Sequence, residues 1–338
     1  MNHWLLAVAV AGGSFAMTYW LRRYALHKSL LDIPNGRSSH TVPTPRGGGV
    51  AIVVSYLGAL VALYGSGELG FSIFMALFGA GLLIAALGFL DDHGHVAARW
   101  RLAGHFLASA WGLFWMGGLP VITLFTVPVN LGLIGDVLAA VYLVWLLNLY
   151  NFMDGIDGIA SVEAVCVCLG VAVIYAVSDQ LSHIWLPILL AAAVSGFLIW
   201  NFPPARIFMG DAGSGFLGMI LGILSIQAAT ISSQLLWSWL ILLGVFIVDA
   251  TFTLIRRLIR GDKVYEAHRS HAYQFASRRF GRHLPVTSAV GVINLCWLLP
   301  IAVWVGCLGL DGLTGVIIAY APLIALAIRF RAGELEKN

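Results

Sequence analysis

Apolar residues in this chain run in long, nearly unbroken stretches, not in the alternating or one-faced patterns of soluble strands and helices. The stretches fall at about 4–21, 48–65, 71–90, 102–118, 134–151, 158–178, 183–202, 213–230, 234–256, 285–307 and 311–329. A helix of about 20 apolar residues covers the hydrocarbon core of a bilayer. Only helices or closed barrels satisfy the backbone there. The pattern therefore predicts an all-α polytopic membrane protein of about 11 transmembrane helices, with 1–338 forming one integral membrane domain. Composition agrees, since 60% of the 338 residues are hydrophobic and 10% are charged. A soluble domain carries roughly 25% charged residues, so a water-exposed fold, a coiled coil and a disordered chain are all excluded. The four cysteines, Cys166, Cys168, Cys296 and Cys307, lie inside apolar stretches without metal-type spacing and read as small hydrophobes.

The charges give the chain a direction. All 19 Lys and Arg fall after the first, third, seventh and ninth stretches or in the C-terminal tail. By the positive-inside rule this places the N-terminus in the periplasm and the C-terminus in the cytoplasm of a bacterial inner membrane, with cytoplasmic loops at about 22–47, 91–101, 152–157, 203–212 and 257–284. Arg22 and Arg23 follow the first stretch and no basic residue precedes it, so it reads as a retained helix and not a cleavable signal. The formal net charge of +3 understates a strongly basic inner face. That face suits membrane lipids and phosphorylated substrates; no nucleic-acid partner is expected.

The acids cluster on the same side, which the positive-inside rule does not explain. Asp91 and Asp92 close the third stretch as adjacent carboxylates that repel each other unless a cation or a proton intervenes, so they read as a metal site or a general base. In NLYNFMDGIDGIAS, Asn148, Asn151, Asp154 and Asp157 recur every third position, able to share a face around two glycines. In NFPPARIFMGDAGSG, Asp211 precedes Gly213, Ser214 and Gly215, small residues that would let a phosphate approach the backbone amides, and Phe208 sits in an otherwise polar loop. The ninth loop holds AHRSHAYQ, in which His268, Arg269 and His271 form compact donors for a diphosphate, together with Lys263, Glu266 and His283. The first loop mixes Asp32, Asn35, Arg37 and His40 with Arg46 beside a Gly triplet, a candidate phosphate binder. Asp136 and Glu163 are expected to snorkel or pair, whereas Asp249, an acid within a span, is functional by default.

These motifs, DIPNGRSSHTVPTPRGGG, LDD, NLYNFMDGIDG, FMGDAGS and the His-containing ninth loop, occur in an order and topology that resemble the polyprenyl-phosphate N-acetylhexosamine-1-phosphate transferases. The resemblance implies transfer of a sugar-1-phosphate from a UDP-N-acetyl amino sugar (UDP-GlcNAc or UDP-FucNAc type) to undecaprenyl phosphate, with release of UMP and a requirement for Mg²⁺, or Mn²⁺ in its place. It implies Asp211 as metal ligand and Asp91 and Asp92 as the pair that deprotonates the lipid phosphate. It further implies catalytic roles for Asp154 and Asp157 beside Asn151, around nucleotide and diphosphate. Asn201 and Phe208 would meet the uracil, and His268 and His271 part of the His motif. The departure is Ser270, which stands where the family places an imidazole. The pattern is closer to O-antigen-initiating members than to those with peptide-bearing substrates, and a homodimer is compatible with the family.

Two other classes account for parts of the pattern. An Mg-dependent intramembrane prenyltransferase would show about nine helices and two Asp-x-x-x-Asp loops. A transporter of anionic lipid or nucleotide sugar would place its polar groups near the bilayer midplane, not at inner helix ends.

Overall fold

The computed structural model describes residues 1–34, 39–40, 42–94, 96–125, 127–262 and 268–335. Asn35, Arg37, Lys263 and Glu266, named above, lie outside the described residues. The helices are α1 (His3–His27), α2 (Val50–Gly65), α3 (Phe71–Gly94), α4 (Ala98–Met116), α5 (Gly132–Met153), α6 (Ile159–Val177), α7 (Trp185–Asn201), α8 (Asp211–Ile231), α9 (Ser233–Leu242), α10 (Gly244–Arg260), α11 (Ala272–Phe280), α12 (Leu284–Ile293), α13 (Leu299–Cys307) and α14 (Gly312–Arg329). A π-turn at Asn294–Leu298 joins α12 to α13. Two short antiparallel pairs trim the ends. Strands β1 (Leu31–Asp32) and β2 (Thr44–Pro45) tie off the first loop, and β3 (Ile122–Leu124) and β4 (Val127–Val129) form a hairpin.

Each predicted apolar stretch is helical. Among the described residues, eight helical segments are long and apolar enough to cross a membrane, and a ninth qualifies only as a bent pair. Helix α2 is short, and α4 opens on Arg99 and Arg101. The straight span expected over 234–256 is replaced by α9 and α10, which meet at 70°. The cause lies in α14. The Tyr320 ring packs where a Cβ on Gly244 would stand, and its hydroxyl donates to the Leu240 carbonyl at 2.7 Å, taking up an acceptor at the end of α9.

Helix α8 forms the axis of the molecule, buried along almost its whole length between α3 and α5. Small residues set the spacing. A Cβ on Gly88 of α3 would lie 2.6 Å from the Ala212 backbone, and one on Gly218 of α8 would lie 2.6 Å from Leu147 Cα in α5. Close backbone approach of this kind is how helices gain packing energy where lipid offers no hydrophobic drive.

Glu163 and Asp136, the two acids expected to snorkel or pair, each accept a hydrogen bond. Glu163 is fully buried and does not snorkel; it accepts a hydrogen bond from Asn294 Nδ2 at 2.6 Å, beside the π-turn. Asp136 accepts from the Leu119 amide at 2.8 Å.

Candidate active site

The inner ends of the helices converge. Asp92 from the end of α3, Asp154 and Asp157 from the turn between α5 and α6, and Asp211 at the head of α8 line one cavity of about 240 Å³. Asn151, Asn201, Phe208 and Arg46 line it too. Residues separated by more than a hundred positions thus meet at one end of the bundle.

Asp211 is held on two sides. Asn151 Nδ2 donates to its Oδ1 at 2.9 Å and to Ser214 Oγ at 2.9 Å, joining the last turn of α5 to the first turn of α8. Arg101 of α4 approaches its other oxygen at 4.0 Å. The Asp91–Asp92 pair is split. Asp91 turns away from the large cavity, accepting from Arg101 and from the Val96 amide, and lines a neighbouring void of about 40 Å³ instead. Asp92 faces the cavity and accepts from the amides of Asp211 (3.2 Å) and Ala212 (3.3 Å), so it caps α8 from another helix. Their mutual repulsion is relieved by a guanidinium on one and a helix terminus on the other.

That cap corrects the phosphate cradle expected at Gly213–Gly215. The first two amides of α8 are bonded to Asp92, and those of Gly213 and Ser214 to the Gly210 carbonyl. The head of α8 therefore offers Asp211's carboxylate and not a ring of open amides. The Gly triplet of the first loop is likewise engaged, Gly48 donating to the Phe208 carbonyl and Gly49 to that of Met209. Arg46 beside it donates to the Asp92 carbonyl at 2.5 Å and keeps its place in the cavity wall.

The turn between α5 and α6 carries two acids whose surroundings push them in opposite directions. Asp154 accepts no hydrogen bond among the described residues. Burial, then the charges of Asp211, Asp92 and Asp157, push its carboxyl well above the usual range. Asp157 is the reverse. Burial alone would raise it, but His283 at 3.1 Å and the Ala205 amide at 3.0 Å hold it below the usual range. His283 is pushed up by that contact in spite of its own burial. Asn201 is spoken for on both ends, its Oδ1 accepting from the Gly158 amide at 3.1 Å and its Nδ2 donating to the Ile207 carbonyl at 3.0 Å. Phe208 meets the His40 ring edge-on at 4.8 Å.

Comparison with known proteins decides the family. The model for "Glycosyl transferase family 4" matches residues 50–229. A probable undecaprenyl-phosphate N-acetylglucosaminyl 1-phosphate transferase of Bacillus subtilis is 30% identical over 262 residues, covering 75% of this chain and 71% of its own length. A decaprenyl-phosphate N-acetylglucosaminephosphotransferase of Mycolicibacterium smegmatis is 30% identical over 311 residues, 78% of this chain and 74% of its own. A phospho-N-acetylmuramoyl-pentapeptide-transferase of Streptococcus mutans is 28% identical over 265 residues, 71% and 75%. The chain belongs to the polyprenyl-phosphate N-acetylhexosamine-1-phosphate transferase family.

One motif of this family member sits differently from the sequence expectation. The lining of the acid-rich cavity includes Gln274 and His283 but not His268, Arg269 or His271. His271 is buried, stacked on His268 with ring centroids 4.8 Å apart, and its Nδ1 lies 3.3 Å from Asp249. Ser270, at the departure from the family pattern, hydrogen-bonds His268 Nδ1 at 2.9 Å. Asp249, the acid within a span, accepts from the amides of Ala272 (2.9 Å) and Tyr273 (3.0 Å), capping α11 and tying its start to α10. Sequence reasoning passed over Arg101, Gln274 and the role of His283. Arg101 looked like one of two loop cations, and only its contacts with Asp91 and, at 4.0 Å, with Asp211 reveal it. Among the described residues no three His, Cys, Asp or Glu side chains form a ready-made metal cage.

Proposed function

We propose that this family member transfers an N-acetyl amino sugar-1-phosphate from a UDP-sugar, of the UDP-GlcNAc or UDP-FucNAc type, to undecaprenyl phosphate. The reaction takes place on the cytoplasmic leaflet of the inner membrane, releases UMP, and initiates O-antigen or a related cell-envelope polysaccharide. The names of its relatives support the polyprenyl-phosphate acceptor and the hexosamine phosphate. The observation that carries the reading is the meeting of Asp92, Asp154, Asp157 and Asp211 around one cavity beneath a basic face.

Phosphoryl transfer between two anions gives a protein little covalent work, so catalysis rests on placing the reactants in line and neutralising charge. Mg²⁺, or Mn²⁺ in its place, fits this donor set, because Asp154 accepts no hydrogen bond among the described residues and shares its cavity with Asp92, Asp157 and Asp211. Asp211, with Asp154, would hold it. Mg²⁺ is commonly bound by one or two carboxylates plus substrate phosphates, which accords with the absence of a complete protein cage among the described residues. When bound, such an ion neutralises phosphoryl oxygens and aligns donor with acceptor. The chain's own part is positional. Asn151 and Arg101 orient Asp211, Asp92 fixes the head of α8, and Arg46 adds a cation at the cavity wall. Of the adjacent acids, Asp92 is the one placed to take the lipid phosphate's proton, since Asp91 is committed to Arg101.

The test is turnover by purified protein with undecaprenyl phosphate, Mg²⁺ and UDP-GlcNAc, UDP-FucNAc or UDP-QuiNAc in parallel. UMP and a lipid-linked diphosphosugar are expected, and the best donor identifies the sugar. Release of inorganic pyrophosphate from a prenyl diphosphate would point to a prenyltransferase, and movement of substrate without chemistry to a transporter. The mass of the detergent-solubilised complex tests the homodimer.

A further inference from the structure

The acid-rich cavity lies beside a second one of about 530 Å³, and the two share Ser39, His40, Asp157, Phe208 and His283 as lining. Arg278 and Arg282 line the outer cavity, so an anionic group entering its otherwise largely apolar space meets two cations. His283 occupies the turn between α11 and α12, with its ring 15% exposed. Its Nδ1 is 3.1 Å from Asp157 Oδ1 and 3.4 Å from the Asp157 amide nitrogen, and its Nε2 is 3.0 Å from the Ser39 carbonyl of the first loop, so both ring nitrogens are engaged.

The contacts of Asp157 extend the link. Its other carboxylate oxygen accepts from the Ala205 amide at 3.0 Å, and its carbonyl accepts from Thr287 Oγ1 at 2.7 Å, on the same helix that His283 leads. One imidazole thus fastens the first loop, the turn between α5 and α6, and the 202–207 turn to the start of α12. Next to Ser39, His40 packs edge-on against Phe208, so the fastened residues form part of the wall between the cavities.

We propose that His283 is a positioning residue that clamps the wall between the two cavities, and that this wall meets the UDP-sugar donor and not the lipid acceptor. The second half of the statement rests on the transferase reading above; the clamp itself does not. Two measurements on the full-length protein separate them. In steady-state assays, His283→Ala raises the KM for UDP-GlcNAc by about tenfold or more, the range expected from losing a hydrogen bond to a charged group. The KM for undecaprenyl phosphate stays within about twofold in the same assays. His283→Gln, which keeps a single amide donor and preserves the fold if the alanine variant does not, falls between. In hydrogen exchange, the Ala205 and Phe208 amides exchange faster in both variants than in the wild type. Wild-type protein that turns over no UDP-sugar would refute the transferase reading while the exchange measurement still judged the clamp. Unchanged exchange would overturn the clamp, and equal rises in both KM values, or a fall in kcat alone, would overturn its assignment to the donor.

Discussion

The side-chain amide of Asn151 reaches Asp211 at 2.9 Å, so the acid at the head of the central helix is aimed by a residue from the end of its neighbour. Removing that amide in Asn151→Ala leaves Asp211 free to turn from the cavity. A hydrogen bond to a charged group is worth about 1.5–3 kcal/mol, so turnover is expected to fall roughly 10- to 100-fold. The Mg²⁺ concentration giving half-maximal UMP release should rise with it. An unaltered Mg²⁺ titration would mean that Asn151 does not orient a metal-binding carboxylate.

Gly88 brings α3 against α8 at the level of Ala212. A Cβ there meets backbone, which cannot swing aside, so Gly88→Ala must part the two helices and pull Asp92 from the amides it caps. Loss of most UMP release in protein that still elutes as a single detergent-solubilised species is expected. Activity close to wild type would show that the cap tolerates displacement.

Asp249→Ala strips partners from the Ala272 and Tyr273 amides and from His271. Each buried donor so orphaned costs about 1–3 kcal/mol. The thermal midpoint in detergent should drop by roughly 5 °C or more, with Asp249→Asn, which keeps one acceptor, losing less. A midpoint equal to wild type would remove Asp249 from the anchoring of the ninth loop.

Orientation has its own test. Asp179, in the link after α6, lies at the end of the bundle away from the acids, whereas Asp262 follows α10 among the basic residues. A cysteine at 179 should react with a membrane-impermeant maleimide added to intact cells after outer-membrane permeabilisation, and one at 262 should not. Asp179→Ala should leave UMP release near wild type. The reverse labelling pattern would invert the topology.

The helical architecture and the convergence of the motif residues at one end of the bundle were legible in the sequence because both follow from one-dimensional patterns. Long apolar stretches have few alternatives to spanning helices, and Lys and Arg sort to one side. What escaped the sequence depends on partners far along the chain. The 70° bend at Leu243 needs Tyr320, which no local propensity around Gly244 reports. Adjacency made Asp91 and Asp92 look like a functional unit, yet Arg101 claims one and the head of α8 the other. The amides of Gly48, Gly49, Gly213 and Ser214 looked open for phosphate, and their occupation by carbonyls could be seen only once the first loop was laid beside residues 208–210. His283 stood twelve positions beyond the conspicuous His pair and had no motif around it.

Helix α8 carries Asp211 on the least compliant part of the molecule, enclosed by α3 and α5 at near-contact backbone distance. An acid mounted in this way cannot travel to meet its reactants. Under the proposed function, the lipid and nucleotide phosphates would have to be delivered to it, so adaptation to a different sugar would fall to the peripheral segments while the centre of the reaction stayed stationary from one substrate to the next.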